Sequence, residues 1–170
     1  MLADCDEWRS DAWNIIRERK DCRFLFVTKR ILRFADCVPP DWGDGWDNVT
    51  VVCTCENQKR ADERLPVFLN APVKHRQITC EPLLEYVDLS KYLCPKIESV
   101  SVGGESGAGA RVCDYEWVKK MRDDCVKANV PFCFRQTGAN FKKDGKIYRV
   151  PRPEQGRQAQ KADIDFDGKK

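Results

Sequence analysis

The chain reads as an α/β protein with a parallel sheet, and three observations lead there. Short apolar, β-prone runs begin near residues 24, 49, 77, 99 and 131, with helical stretches between them. One such unit every 22 to 32 residues predicts right-handed crossovers and parallel strands. Three of the runs end in a glutamate: Val51-Val52-Cys53-Thr54-Cys55-Glu56-Asn57, Gln77-Ile78-Thr79-Cys80-Glu81-Pro82 and Val100-Ser101-Val102-Gly103-Gly104-Glu105-Ser106-Gly107. Strand carboxyl ends are where β/α folds gather their ligands. About five units fall short of the eight of a closed TIM barrel. The expectation is therefore a partial (β/α) barrel or an open parallel sheet over 1–138, then a β-hairpin and a mobile basic tail over 139–170.

Each element follows from local pattern. Residues 1–20 read as a leading segment and helix, with Trp8, Ala12, Ile15, Ile16 and Arg19 on one face and Trp8 as a core or interface anchor. Phe24-Leu25-Phe26-Val27 is a continuous apolar run, as in a parallel strand covered on both faces, and ends in Thr28-Lys29-Arg30. Residues 31–36 form a short helix that Pro39-Pro40 must stop. The Asp41-Trp42-Gly43-Asp44-Gly45-Trp46-Asp47-Asn48 loop lacks calcium-loop spacing and the bidentate glutamate, and reads as a glycine turn with two packed tryptophans. Residues 49–54 are the second strand, and Asn57 caps a helix carrying Ala61, Leu65 and Phe68, with a kink or fresh first turn at Pro66. The third strand is 77–80, a short helical segment follows at 86–93, and the fourth strand is 99–102. Asp114 caps a helix with Trp117, Val118, Met121, Cys125 and Ala128 on one face; Asn129 and Pro131 end it. Phe132-Cys133-Phe134 is the fifth strand, ending in Arg135-Gln136-Thr137-Gly138. Asp144-Gly145 between two short arms is a hairpin signal. Residues 151–170 are polar and Gln-rich, with little to bury.

Composition narrows the class. The 170 residues suffice for one core. No apolar run reaches membrane-spanning length and no signal-peptide pattern opens the chain, so no membrane contact and a cytoplasmic location are expected. Ten scattered cysteines with no pair of CxxC motifs read as free, largely buried thiols in a reducing compartment, and no metal site is expected. Net charge is only +3, but residues 137–170 hold nine Lys and Arg against five Asp and Glu, leaving the preceding chain at −1. The excess cations Lys142, Lys143, Lys146 and Arg149, with Arg152 and Arg157, are candidates for nucleic-acid contact; plain solvation of a tail is the other reading.

The strand ends carry the chemistry. Glu56, Glu81 and Glu105 accompany Lys29, Arg30 and Arg135. Carboxylates beside cations bind a zwitterion such as an amino-acid moiety, the acid holding the ammonium and a guanidinium holding the carboxylate. A salt-bridge network across loops is the alternative. Gly103 and Gly104 let backbone approach a ligand, and Ser106 and Asn57 add neutral hydrogen bonds. The glycine-rich loop lacks both the P-loop lysine and dinucleotide spacing. His75, the only histidine, lies at the opposite strand end and reads as solvated.

Five motifs in order carry a resemblance: Thr28-Lys29-Arg30, Cys55-Glu56-Asn57, Cys80-Glu81-Pro82-Leu83-Leu84, Val102-Gly103-Gly104-Glu105-Ser106-Gly107 and Arg135-Gln136-Thr137-Gly138. Over residues 6–161 the chain resembles the phage and prophage radical-S-adenosylmethionine-like family, whose longer members carry an upstream three-cysteine motif. The resemblance implies a partial barrel whose strand ends face an S-adenosylmethionine pocket. It places Thr28, Lys29, Glu56, Asn57, Glu81, Gly103, Gly104, Glu105, Ser106, Arg135 and Gln136 at that pocket. No CxxxCxxC motif occurs among the ten cysteines, so an iron-sulfur cluster would have to come from a missing N-terminal segment or a partner. Met1 as true start, internal start or split point are all open. Two functions remain: a truncated or split radical enzyme, inactive alone, or a non-enzymatic phage-encoded binding protein that inhibits a host defence or nucleic-acid-associated system. A half-barrel also predicts a protein partner, or self-association, over its two open sheet edges.

Overall fold

The structure, a computed structural model, describes residues 6–169. The opening residues 1–5 of the expected leading segment, and Lys170, lie outside the described residues. The elements run α1 (Asp6–Glu18), β1 (Phe24–Thr28), two 3-10 turns (Ile31–Arg33 and Ala35–Cys37), β2 (Val49–Thr54), α2 (Gln58–Asn70), β3 (His75–Cys80) and β4 (Ile97–Gly103). They continue with β5 (Val112–Asp114), α3 (Tyr115–Lys127), β6 (Phe132–Gln136), β7 (Asn140–Lys143), β8 (Lys146–Arg149) and α4 (Arg152–Lys161). Five strands form one parallel sheet in the order β1-β2-β3-β4-β6, and β5-β7-β8 form a second, three-stranded sheet. The large sheet is open and does not close into a barrel.

The sheet follows chain order because each crossover moves one strand along in the same direction. Its two faces differ. Phe26, Val51, Cys53, Ile78, Val100 and Phe132 join one core with Trp13 and Ile16 of α1, Leu65 and Phe68 of α2, and Val118 and Met121 of α3. Each fully buried Leu, Ile, Val or Phe contributes roughly 1.5–3 kcal/mol. The alternate row is different: Leu25, Val27, Thr50, Gln77, Ser99, Ser101, Cys133 and Arg135 are half-buried or exposed, and only Val52, Thr54 and Thr79 on it are closed. The row is continuous across the strands, since Val27 aligns with Val52 and Val52 with Gln77, while Thr54 aligns with Thr79 and Ser101 with Cys133.

Caps form where sequence predicts them. Asn57 Oδ1 accepts from Arg60 N at 3.0 Å, and Asp114 Oδ1 accepts from Glu116 N at 3.0 Å. The tryptophan loop packs down as expected, Trp42 and Trp46 lying 5.3 and 5.7 Å from Trp13 between ring centres.

Several expectations are corrected. Of the expected α1 face only Ile16 is buried; Trp8 (69% exposed), Ala12, Ile15 and Arg19 face solvent, and the other buried residue is Trp13, which stacks on Phe26. Pro66 does not break α2, which runs through it. Residues 86–93 form no helix and turn only at 90–92. His75 begins β3, and its Nδ1 lies 2.6 Å from Glu98 Oε1, so it has a partner. Cys133 is exposed rather than buried. The tail is not a mobile strand of solvated charge: residues 152–161 form α4, with Gln155 and Ala159 buried at 2%. Its apolar stripe is too small for sequence periodicity to register. Beyond it, Phe166 pairs antiparallel with Phe132, N–H to O distances being 2.7 and 2.9 Å, and Asp165 Oδ1 accepts from Phe134 N. The β6 edge is therefore covered by the chain itself, and among the described residues the β1 edge remains open of the two expected.

Candidate functional site

The strand ends of β1, β2, β3, β4 and β6 bring the expected residues to one end of the uncovered face, in three groups.

The first group centres on Glu56, just past β2. Its Oε1 accepts from Lys29 Nζ at 2.8 Å and its Oε2 from Arg64 Nη1 at 2.6 Å; Arg64 Nη1 also donates to Thr54 O at 2.6 Å. Burial opposes ionisation of Glu56, but the hydrogen bonds from Lys29, its own backbone and Arg64 outweigh it and hold the carboxyl below the usual range. Glu56 is thus an ionised carboxylate with both oxygens engaged.

The second group centres on Glu81, past β3. Its Oε1 is fully buried with no hydrogen-bond partner. Arg135 Nε lies 3.6 Å from that oxygen, too far for a direct hydrogen bond, and the Arg135 side chain is 60% exposed. Burial raises the Glu81 pKa above the usual carboxylate value, and Arg135, Thr79 and Ser101 pull it back only in part. Gly103 makes the room: a Cβ there would stand 3.0 Å from Glu81 Cγ and Cδ and from Gln136 Cγ.

The third group is the loop after β4. Arg111 grips Glu105 with three donors, N and Nε at 2.8 Å and Nη2 at 2.6 Å, which brings the Glu105 pKa down to about 2. Ser106 Oγ donates to Gln155 Oε1 at 2.7 Å and lies 3.2 Å from Gln136 Oε1, while Gln136 Nε2 donates to Gly104 O at 3.2 Å. Lys29 also helps lower Glu105, and Glu56 helps raise Arg111, so the ends of β1, β2 and β4 form one electrostatic cluster.

A match to a family model spans residues 4–169; the family is described as a protein of unknown function, DUF5131. The chain belongs to the DUF5131 family. No curated protein and no solved structure matches it.

Within this DUF5131 chain the eleven expected pocket residues divide by role. Lys29, Glu56, Glu81, Gly103 and Arg135 meet at the uncovered face. Glu105, Ser106 and Gln136 are tied to protein partners in the loop beside it. Thr28 Oγ1 accepts from Arg30 N at 2.9 Å and closes the β1 end, and Asn57 is spent on its cap. Gly104 faces protein rather than open space: a Cβ would overlap the Thr137 carbonyl oxygen.

Three residues of the DUF5131 site escape sequence reasoning. Arg64 had a signal, a cation on the Ala61–Leu65–Phe68 stripe of α2, where it is 8% exposed. Arg111 and Gln155 had none, since each reaches its partner through a loop or from the tail. The tail candidates are also placed: Lys142 is bound to Asp114 at 2.9 Å, Lys143 lies 5.4 Å from the Tyr115 ring centre, and Lys146 and Arg149 are exposed.

Proposed function

We propose that this chain keeps one side of the cofactor pocket of a phage- or prophage-derived radical-S-adenosylmethionine-type protein, and works only with a cluster supplied by a partner or by sequence outside these residues, in a reducing cytoplasm. One observation carries the reading: Glu81 presents a buried carboxyl oxygen with no hydrogen bond among the described residues, beside an under-engaged guanidinium on an uncovered strand-end face. The methionine end of S-adenosylmethionine bears an ammonium and a carboxylate. Glu81 would accept from the ammonium and Arg135 would hold the carboxylate. The ammonium favours the ionised form of Glu81 and so works against the burial that raises its pKa. Glu56 and Glu105, both already neutralised by protein cations, hold the strand ends in place instead.

The buried thiols of β2 and β3 do not fit an iron-sulfur cluster. Cys53, Cys55 and Cys80 are fully buried. A hydrogen bond with Cys53 and burial push the Cys55 thiol far up, and burial does the same to Cys80, so neither is a thiolate. Among the described residues no group of three His, Cys, Asp or Glu side chains is arranged to hold a metal. In this reading the cluster and its chemistry come from a covering partner or from sequence outside the described residues. Leu25 and Val27, 57% and 62% exposed on the edge strand β1, mark where such a partner would pair.

Calorimetric titration of the folded chain with S-adenosylmethionine tests the pocket. Weak saturable binding is expected for the wild type, tightening as pH rises through the Glu81 titration. Glu81→Gln should lose it at least tenfold while melting no lower than wild type. No saturable binding by the folded wild type, or equal binding by Glu81→Gln, overturns the reading.

A further inference from the structure

The C-terminal region builds a second site, lined by none of the strand-end carboxylates. A cavity of about 470 Å³ opens between the β7–β8 hairpin and α4. That size lies within the 300–1,000 Å³ range of small-molecule and single-residue subsites. Its floor is aromatic: Tyr115, Phe134 and Phe141 sit with ring centres 5.7 to 6.3 Å apart. Tyr148, 48% exposed, walls it. Its rim carries Lys143, Arg149 and Lys161, none of them salt-bridged among the described residues. The one acid on the rim, Glu154, is engaged by Arg157 at 2.9 Å.

A second cavity of about 420 Å³ lies next to the first, sharing Arg149, Val150 and Pro151 with it and bounded on its far side by Gly107, Ala108 and Asn140. Two cavities in series with a guanidinium on the shared wall fit a ligand of two bulky units joined by an anion. An aromatic floor selects a flat ring for one of those units, and the surplus of rim cations selects phosphate over a single carboxylate.

We propose that this cleft binds single-stranded nucleic acid, one unpaired base lying over Tyr115, Phe141 and Tyr148, the phosphodiester on Arg149, and the next nucleotide in the second cavity. Lys143 and Lys161 hold the flanking phosphates. A duplex is excluded because its base faces are already stacked. Neither Glu81 nor Arg135, proposed to hold the cofactor, lines the cleft.

The test is fluorescence anisotropy with a labelled, mixed-sequence single strand of about ten bases. The wild type should bind in a salt-dependent way, with an equal-length duplex and free mononucleotides as weak competitors. Tyr148→Ala, at an exposed position, should weaken binding from about fivefold to about a hundredfold, the range for loss of one base stack. Arg149→Ala should lower the slope of log affinity against log salt by about 0.7, the value for one phosphate contact on a single strand. Lys59→Ala, on α2, should change neither. No binding overturns the proposal. So does unchanged affinity in Tyr148→Ala, or a loss in Lys59→Ala equal to that in Arg149→Ala, which marks unspecific charge attraction. Mononucleotides binding as tightly as the oligonucleotide would also overturn it, in favour of a small-ligand site. Circular dichroism melts of each variant keep a loss of fold apart from a loss of binding.

Discussion

Substituting Gly104→Ala distinguishes a glycine kept for packing from one kept for a ligand. A Cβ at 104 would overlap the Thr137 carbonyl oxygen and stand 2.7 Å from Thr137 C and 2.9 Å from Cys113 Cβ. Two of these atoms are backbone and cannot swing aside. Relief requires β4 and β6 to part at their last rung, where Gly104 N donates to Gln136 O at 3.0 Å. Overpacking in a filled site costs about 1–3 kcal/mol, and a lost internal hydrogen bond adds about 1 kcal/mol. The stiffer unfolded chain returns roughly 0.4–1 kcal/mol. The net loss is about 1–3.6 kcal/mol, or about 2–14 °C in melting temperature for a domain of this length. Gly103→Ala is the matched control. Its Cβ meets only side-chain atoms of Glu81 and Gln136, at 3.0 Å, and these can turn away. It should cost less stability while driving the Glu81 carboxyl out of place. Urea unfolding of both variants reads the difference. If Gly104→Ala melts within about 2 °C of wild type, or more stably than Gly103→Ala, the packing account of the loop fails.

Glu56→Gln leaves Arg64, whose side chain is 9% exposed, without its carboxylate, and should cost about 3 kcal/mol in urea unfolding, the low end for a broken buried pair because Thr54 O is retained. Lys29→Ala, from the 52% exposed side of the same acid, should cost at most about 1 kcal/mol; equal losses would contradict the asymmetry. Glu105, held down to about 2 from 4.5 by Arg111, contributes stability that is fully present above pH 4.5 and is lost as pH falls toward 2, so the gap between wild type and Arg111→Ala should close on acidification. Glu81 runs the other way. Its raised pKa means that the ionised form weighs against the fold at neutral pH, so Glu81→Gln should be more stable than wild type at pH 7, the advantage vanishing as pH falls through the folded pKa to 4.5. A Glu81→Gln advantage that persists unchanged at low pH would rule out titration as its cause.

What the sequence made legible follows the range of each interaction. Strands with dense apolar runs, such as residues 24–28 and 49–54, and helices with local caps, such as Asn57 and Asp114, are set by neighbours a few residues away. The strand-end rule also placed Glu56, Glu81 and Arg135 at one face. Long-range choices were not legible. Arg111 takes Glu105 out of the pocket, Thr137 takes up the space at Gly104, and Gln155 reaches Ser106 from 49 residues away. The same limit hid α4. Its helix has little apolar surface of its own and is held by β6, by Gln155 bonding to Val150 O, and by the Phe166 pairing beyond it.

The uncovered sheet face sets the terms for both functional readings. Parallel sheets normally have both faces covered; here the helices α1, α2 and α3 line one. Across the middle and far side of the other face the side chains are Gln77, Thr79, Ser99 and Ser101, with Thr79 and Ser101 hydrogen-bonded at 2.8 Å, a surface that water tolerates. At the β1 margin they are Leu25 and Val27, more than half exposed, beside a strand edge with no pairing among the described residues. At the β6 margin the chain closes its own edge with Phe166. The apolar cost is thus concentrated on one side, so a covering partner gains most by pairing along β1 and extending over the face from there. A partner seated so would wall off Lys29 and Glu56 first and leave Arg135 nearest the opening. It would leave the hairpin–α4 cleft, beyond β6, untouched. The two proposed sites can therefore be occupied together, and loss of one by substitution should not alter binding at the other.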